Sequence, residues 1–272
     1  MLKMGGKRQN KKLGQVFLKD PTLIDAVLEY CKVQKQETMI EIGCGDGILT
    51  KKLLPLCEKL FVYEIDPFFI EETKKATGNP SHLTFIEGDV IKLGLKDNSQ
   101  SPFSLIANIP YQISAPLMEE LSHHQNTLKE AILMLQAEFA EKLYAKPSTK
   151  AYSRISVFVQ YHFEVEAILQ VPKTEFYPVP KVDSAVVRLI PRKKPPFTVD
   201  ESLFFTLIKT AFFARRKTLQ NCLQKAPFLK LKDGFLETPF LHSHPKIRGE
   251  ALSLDDFYTL YTELLPFIEK KE

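Results

Sequence analysis

Residues 38–50 read TMIEIGCGDGILT, and the fold follows from this stretch. An apolar strand pattern over Thr38 to Ile42 runs into glycines at alternate positions, Gly43, Gly45 and Gly47, and then into a helical pattern. Glycine lets the backbone turn sharply and approach a ligand closely, and the following helix presents its positive amino end. The stretch therefore reads as a nucleotide-binding turn. Ile48 stands where a dinucleotide fingerprint has its last glycine, so that fingerprint is not met.

Working outward, a second strand over Leu60 to Ile65 ends at Glu64 and Asp66, and Glu64 follows Gly43 by 21 residues. That is the spacing at which a carboxylate meets ribose hydroxyls in doubly wound folds. A third run, Leu83 to Ile86, ends in Glu87-Gly88-Asp89 and puts another acid at the same sheet edge, where it could accept from an adenine amine. Taken singly, Glu64 and Asp89 read as solvated strand-end acids, because turns favour such residues. Three features in order at successive strand ends read as a site.

The alternation continues along the chain. Strand patterns at 38–42, 60–65, 83–86, 103–107 and 131–135 alternate with helical patterns at about 21–32, 47–56, 67–76, 114–123 and 137–145. This is an α/β layer system with a mostly parallel sheet, whose ligands sit at the carboxyl ends of the strands. A helix over Ser153 to Tyr161 and strands over Phe163 to Val171 and Ser184 to Ile190 bring the expectation to seven strands.

Asn108-Ile109-Pro110-Tyr111 follows the apolar run from Phe103 to Ala107. Pro110 has no N–H and disfavours helical geometry at Ile109, so carbonyls there are released from ladder pairing and can face a cleft. The Asn108 amide oxygen and the Ile109 carbonyl can accept from an exocyclic amine. Tyr111 offers a flat face to a base that has left its own stack. The bland reading of the same tetrapeptide is a strand-ending turn with Tyr111 in the core.

The 272 residues carry a formal charge of only +4, which by itself selects no partner. The distribution of charge says more. Residues 1–12 hold Lys3, Lys7, Arg8, Lys11 and Lys12 without an acid and read as a flexible basic arm. Arg192, Lys193 and Lys194 before two prolines mark a linker, which divides the chain into a domain over 13–191 and a helical one over 192–272. Helical spacing there covers Glu201 to Ala214, Arg216 to Gln224, Leu231 to Phe235 and Leu254 to Phe267, the last with Ser253 as N-cap and Asp256 at the capping position. The cluster Arg215, Arg216 and Lys217 suits RNA phosphates. Cys31, Cys44, Cys57 and Cys222 have no paired spacing and His123, His124, His242 and His244 no matching acids, so neither metal nor a disulfide framework is expected. No signal peptide or membrane span is visible in the sequence, and a cytoplasmic protein is expected.

Further segments carry a resemblance. Leu13-Gly-Gln-Val-Phe-Leu18 resembles a GQNFL motif, Tyr152 to Tyr161 with Pro172 to Leu189 resembles YGRLSV and FxPPPKVDSAVVRL segments, Phe213-Ala-Arg-Arg-Lys-Thr-Leu-Gln-Asn221 resembles FxxRRKTLxN, and Arg248-Gly-Glu-Ala-Leu-Ser253 resembles RAExLS. With the glycine turn, Glu64, Asp89 and Asn-Ile-Pro-Tyr, the chain over roughly residues 11–260 resembles the rRNA adenine N6,N6-dimethyltransferases, on the small-subunit, kasugamycin-resistance branch. The resemblance implies a Rossmann-like, seven-stranded class I methyltransferase domain with a small C-terminal helical domain. It further implies S-adenosylmethionine as cofactor, held by Leu18, Gly43, Gly45, Glu64, Asp89 and Asn108. Adenine capture falls to Asn108, Ile109, Tyr111 and Phe176, the last stacking the base opposite Tyr111, and RNA contact to Arg215, Arg216 and Lys217. The implied partner is the immature small ribosomal subunit (30S) with its rRNA, met by a monomer. Val16 replaces the motif's Asn and offers no side-chain hydrogen bond.

Other readings stay open on sequence alone. A DNA adenine or protein glutamine methyltransferase shares the Asn-Pro-Pro-Tyr type of site but leaves Arg-Arg-Lys-Thr-Leu unexplained. A nicotinamide oxidoreductase uses such a turn and Glu64 but has no use for Asn108 to Tyr111. A non-catalytic ribosome-assembly factor explains the basic segments alone.

Overall fold

The computed structural model describes residues 16–30, 37–95 and 102–269. The basic arm, Leu13 to Gln15 and Cys31 lie outside them. In chain order the strands are β1 (Phe17–Leu18), β2 (Glu37–Ile42), β3 (Cys57–Glu64), β4 (Leu83–Glu87), β5 (Phe103–Asn108), β6 (Leu128–Gln136), β7 (Phe163–Val171), β8 (Phe176–Tyr177) and β9 (Ser184–Pro191). Seven of them form one sheet in the order β4-β3-β2-β5-β6-β9-β7. The first five neighbours run parallel, and β9 enters antiparallel between β6 and β7. The seven-stranded Rossmann-like expectation is met. β5 is buried from Phe103 to Ala107, as a strand covered on both faces requires.

The helices on this sheet are α1 (Thr22–Tyr30), α2 (Ile48–Leu53), α3 (Pro67–Thr77), α4 (Val90–Leu93) and α5 (Ser114–Ser122). Their starts are local chemistry. Asp66 caps α3 by accepting from the Phe68 N–H, with Pro67 in the first turn, and Asp89 caps α4 by accepting from the Ile91 N–H. Such caps stabilise a helix by about 1 kcal/mol each. They also place two acids at strand-to-helix turns along one sheet edge.

The chain divides into two compact units, residues 1–140 with 163–193, and residues 141–162 with 194–272. A sequence cut at 192 assigns 141–162 to the first unit; by contact they belong to the second. The reason is packing: Tyr152, Val157 and Tyr161 share a core with Phe204, Leu207, Phe257 and Leu260. The remaining helices are α6 (Ala137–Tyr144), α7 (Arg154–His162), α8 (Glu201–Ala211), α9 (Leu219–Lys225), α10 (Pro239–Ser243) and α11 (Leu254–Leu264). Ser253 and Asp256 form the expected capping box of α11.

Two helical expectations in the second unit are corrected. Leu231 to Phe235 is no helix; Leu231 bridges to Ile268 and a 3-10 turn follows at Phe235–Glu237. Arg215 to Lys217 lie in a turn between α8 and α9, because Thr218 caps α9 by accepting from the Asn221 N–H and so fixes its start at Leu219. Among the described residues, no helix is long and apolar enough to cross a membrane.

Candidate functional site

At the carboxyl edge of the sheet, the turns after β2, β3, β4 and β5 surround a cavity of about 330 Å³. Its walls include Val16, Leu18, Gly43, Gly45, Glu64, Ile65, Asp89, Asn108, Ile109 and Pro110. Residues far apart in sequence thus meet at one place. Gly43 takes φ +79, and a Cβ there would meet nothing within 4 Å, so that side of the turn stands open. Gly45 takes φ +50 with the Phe17 ring 3.2 Å from where its Cβ would be, so close packing as well as backbone angle calls for glycine.

Glu64 ends β3 and is only 5% exposed. One carboxylate oxygen accepts from the Asp66 N–H at 2.9 Å, and the other accepts from the Gly45 N–H at 3.3 Å and from the Cys44 thiol at 3.7 Å. Burial pushes the Cys44 thiol well above its ordinary range, which keeps it an S–H donor. The carboxylate is therefore oriented by the protein itself, and hydrogen bonds to an ionised acceptor are the stronger kind. Asp89 is tied less tightly, with one oxygen accepting from the Ile91 N–H at 3.0 Å.

Behind the glycine turn lies Glu41, which the sequence reading passed over. It is fully buried on β2, accepts from the Thr50 hydroxyl at 2.7 Å, and has a second oxygen without a hydrogen-bond partner. Burial pushes its carboxyl up to about 8, with the Glu64 and Asp46 charges adding to the rise. At neutral pH Glu41 is thus mostly protonated, and it links β2 to α2 across the turn. An acid inside the apolar run Thr38 to Ile42 was the available signal.

The other half of the cavity is held more loosely. Asn108 ends β5, and its amide nitrogen donates to the Val16 carbonyl at 3.4 Å, which leaves Oδ1 as the acceptor. The Val16 departure therefore removes a side-chain amide but keeps a backbone contact at that position. The Ile109 N–H donates to the Met134 carbonyl at 3.1 Å, fixing the backbone before Pro110. Tyr111 opens a 3-10 turn, half-buried beside the cavity rather than in its wall, with its hydroxyl 3.4 Å from the Ser184 hydroxyl.

Phe176 requires correction. Expected to face Tyr111 across a base, its ring is 0% exposed and packs in the core with Phe17, Leu18 and Val186. The cause is the two-stranded ribbon of β1 and β8, where Leu18 pairs with Phe176 and Phe17 with Tyr177. Neighbours on a strand face opposite sides, so burying Phe176 turns Tyr177 outward.

In the second unit, Arg215 has internal partners. Its guanidinium donates to Glu250 at 2.9 Å and to the carbonyls of Lys150 and Tyr152 at 3.1 and 3.3 Å. Three of the sequence segments singled out above, around Tyr152, Arg215 and Glu250, thus meet in one structural knot. Gly249 belongs to it: a Cβ there would lie 2.3 Å from the Ala211 carbonyl oxygen. Arg216 and Lys217 are exposed.

Comparison with known proteins adds a family. The family described as Ribosomal RNA adenine dimethylase matches residues 6–263. The Ribosomal RNA small subunit methyltransferase A of Clostridium acetobutylicum is 37% identical over 262 residues, covering 94% of each chain. That of Lactococcus lactis is 36% identical over 265 residues, covering 94% of this chain and 90% of its own. Among solved structures, a dimethyladenosine transferase from Plasmodium falciparum superposes with a TM-score of 0.78 at 31% identity, covering 93% of this chain and 99% of its own. The 23S rRNA methyltransferase ErmE shares the fold, with a TM-score of 0.69 at 23% identity over 91% of this chain and 99% of its own.

Proposed function

The chain belongs to the ribosomal RNA adenine dimethylase family, and from that premise we propose that it transfers methyl groups from S-adenosylmethionine to N6 of two adjacent adenosines near the 3′ end of small-subunit rRNA during ribosome biogenesis. The observation that carries the reading is the single cavity that joins the glycine turn, Glu64 and Asp89 to Asn108, Ile109 and Pro110. An oxidoreductase has no use for the second group. A purely structural assembly factor has no use for a buried carboxylate held open toward a cavity.

The residues present fit the cofactor. A cavity of about 330 Å³ falls within the range of small-molecule sites, about 300 to 1,000 Å³. Glu64 is placed to accept from ribose hydroxyls, Asp89 from the adenine amine, and the open side of Gly43 admits close backbone approach, with Leu18 an apolar wall. When bound, S-adenosylmethionine supplies an electrophilic methyl group on a sulfonium.

The remaining work belongs to this chain's residues. Adenine N6 is a poor nucleophile because its lone pair is delocalised into the ring. Asn108 Oδ1 and the Ile109 carbonyl accept its two N–H bonds and hold the nitrogen toward tetrahedral geometry, while Tyr111 stacks on the base. Positioning of this kind supplies most of the rate gain. No titratable base is required, since the methylated N6 is acidic enough to release its proton to water. With Phe176 in the core, the base's second face is left to groups other than that ring.

The partner is rRNA in the immature small subunit, met by a monomer in the cytoplasm. Arg216 and Lys217 are suited to its phosphates, and Arg215 acts by shaping the turn that presents them. Two measurements test the function: binding of S-adenosylmethionine by calorimetry, and transfer of its labelled methyl to immature small subunits. Binding without transfer to any small-subunit preparation would overturn the reading.

A further inference from the structure

Tyr177 is 40% exposed, Val179 54% and Val182 39%, so three apolar side chains within six residues face solvent. Single exposed apolar residues are ordinary, but a group of them beside a cleft marks an interaction surface. Their segment is anchored at both ends. The Lys19 N–H and ammonium donate to the Glu175 and Thr174 carbonyls at 2.8 and 2.7 Å, and the Asp183 carboxylate accepts from the Lys173 N–H at 2.9 Å. The loop also borders the proposed adenine site. Tyr177 pairs across the ribbon with Phe17, a wall of the cavity, and the loop ends at Ser184, against which the Tyr111 hydroxyl rests.

We infer that Tyr177, with Val179 and Val182 beside it, forms a stacking platform outside the cavity for the nucleotide next to the target adenosine. The inference rests on the proposed function and deepens it. Single-stranded RNA is recognised by unstacked bases laid on aromatic rings. Tyr177 offers an anchored ring at the rim, and exposed Lys181 in the same loop offers a cation for the adjoining phosphate. With Phe176 buried, Tyr177 is the aromatic of that pair that a base can reach.

Single-turnover methyl transfer to immature small subunits, with cofactor saturating, tests it in wild type, Tyr177→Ala and Tyr177→Phe. Loss of one base stack costs about 1 to 3 kcal/mol, so Tyr177→Ala should raise the half-saturating subunit concentration roughly five- to 150-fold. The maximal rate should stay within about twofold, Tyr177→Phe should restore wild-type behaviour, and the cofactor Kd should not move. Unchanged half-saturation in Tyr177→Ala would overturn the platform. So would a fall confined to the maximal rate, which would put Tyr177 on the target base, or a weakened cofactor Kd, which would make it a prop for the β1 ribbon. Failure of the wild-type protein to transfer methyl at all would count against the proposed function instead.

Discussion

The two halves of the cavity are built to different tolerances. Glu64 is buried and held by three donors from Asp66, Gly45 and Cys44. Asn108 has a single 3.4 Å bond to a backbone carbonyl, and Tyr111 a single 3.4 Å contact through its hydroxyl. The difference matches what each half receives. A small cofactor has one shape, so a rigid, prearranged carboxylate binds it without an ordering cost. A base pulled from an RNA arrives on a polymer, and the half that receives it gains from room to adjust. The glycine-turn half should therefore show its defects in cofactor affinity and the Asn-Ile-Pro-Tyr half in base capture and rate.

The largest effect is expected at Asn108. Asn108→Ala removes the acceptor that orients N6, where a misplacement near 1 Å can cost on the order of a hundredfold. Single-turnover transfer should fall by at least that much while RNA binding stays near wild type. Cofactor affinity can also drop, since Asn108 lines the shared cavity. A near-normal rate would erase the distinction between the halves. Glu64→Ala should come next, weakening S-adenosylmethionine binding by about 1.5 to 3 kcal/mol, the range for hydrogen bonds to a charged group. Calorimetry on the folded variant checks it, and unchanged affinity would remove Glu64 from the cofactor.

Both halves were legible in the sequence for the same physical reason. A strand that ends in a functional turn must change from apolar periodicity to glycine, acid or proline within a few residues, and Gly43, Glu64, Asp89 and Asn108 each mark such a change. What escaped was whatever depends on long-range packing. The β1 and β8 ribbon has two residues a side, too short for a periodic signal, yet its register decides that Phe176 is core and Tyr177 is surface. Likewise Arg215 reads as a nucleic-acid contact until Glu250, 35 residues later, folds against it. Boundaries in the second unit shifted where one capping side chain, Thr218, outweighed helical spacing. Glu41 was visible as an acid in a strand, but its protonation follows from burial alone.

Glu41 sharpens the comparison through pH. Its folded carboxyl is pushed up to about 8 from an ordinary 4.5, so the folded state binds a proton more tightly than the unfolded one. The stability this contributes is complete below about 4.5, declines as pH rises, and is lost by the time pH passes 8. The slope in that window cannot exceed about 1.4 kcal/mol per pH unit. Denaturant unfolding at pH 6 and pH 8.5 should show the native protein losing stability, and Glu41→Gln, which keeps the shape without a titrating proton, should lose less. Equal losses in the two proteins would mean that Glu41 is charged throughout.

The smallest effect is the most discriminating. If Tyr111 works by its ring face, Tyr111→Phe removes only a 3.4 Å contact to Ser184 and should leave single-turnover transfer within about twofold of wild type. A hydrogen bond at that length is weak, so its loss costs little even though the buried Ser184 hydroxyl stays behind without this partner. Tyr111→Ala should instead weaken base capture by the roughly 1 to 3 kcal/mol typical of one stack, about five- to 150-fold in half-saturation. The pair separates two designs for the looser half. A damaging Tyr111→Phe would mean that the hydroxyl, braced on β9 through Ser184, sets the turn after Asn108, and that this half is as prearranged as the glycine turn. A benign one would leave the base held by a flat face and two carbonyl-type acceptors, free to settle as RNA arrives.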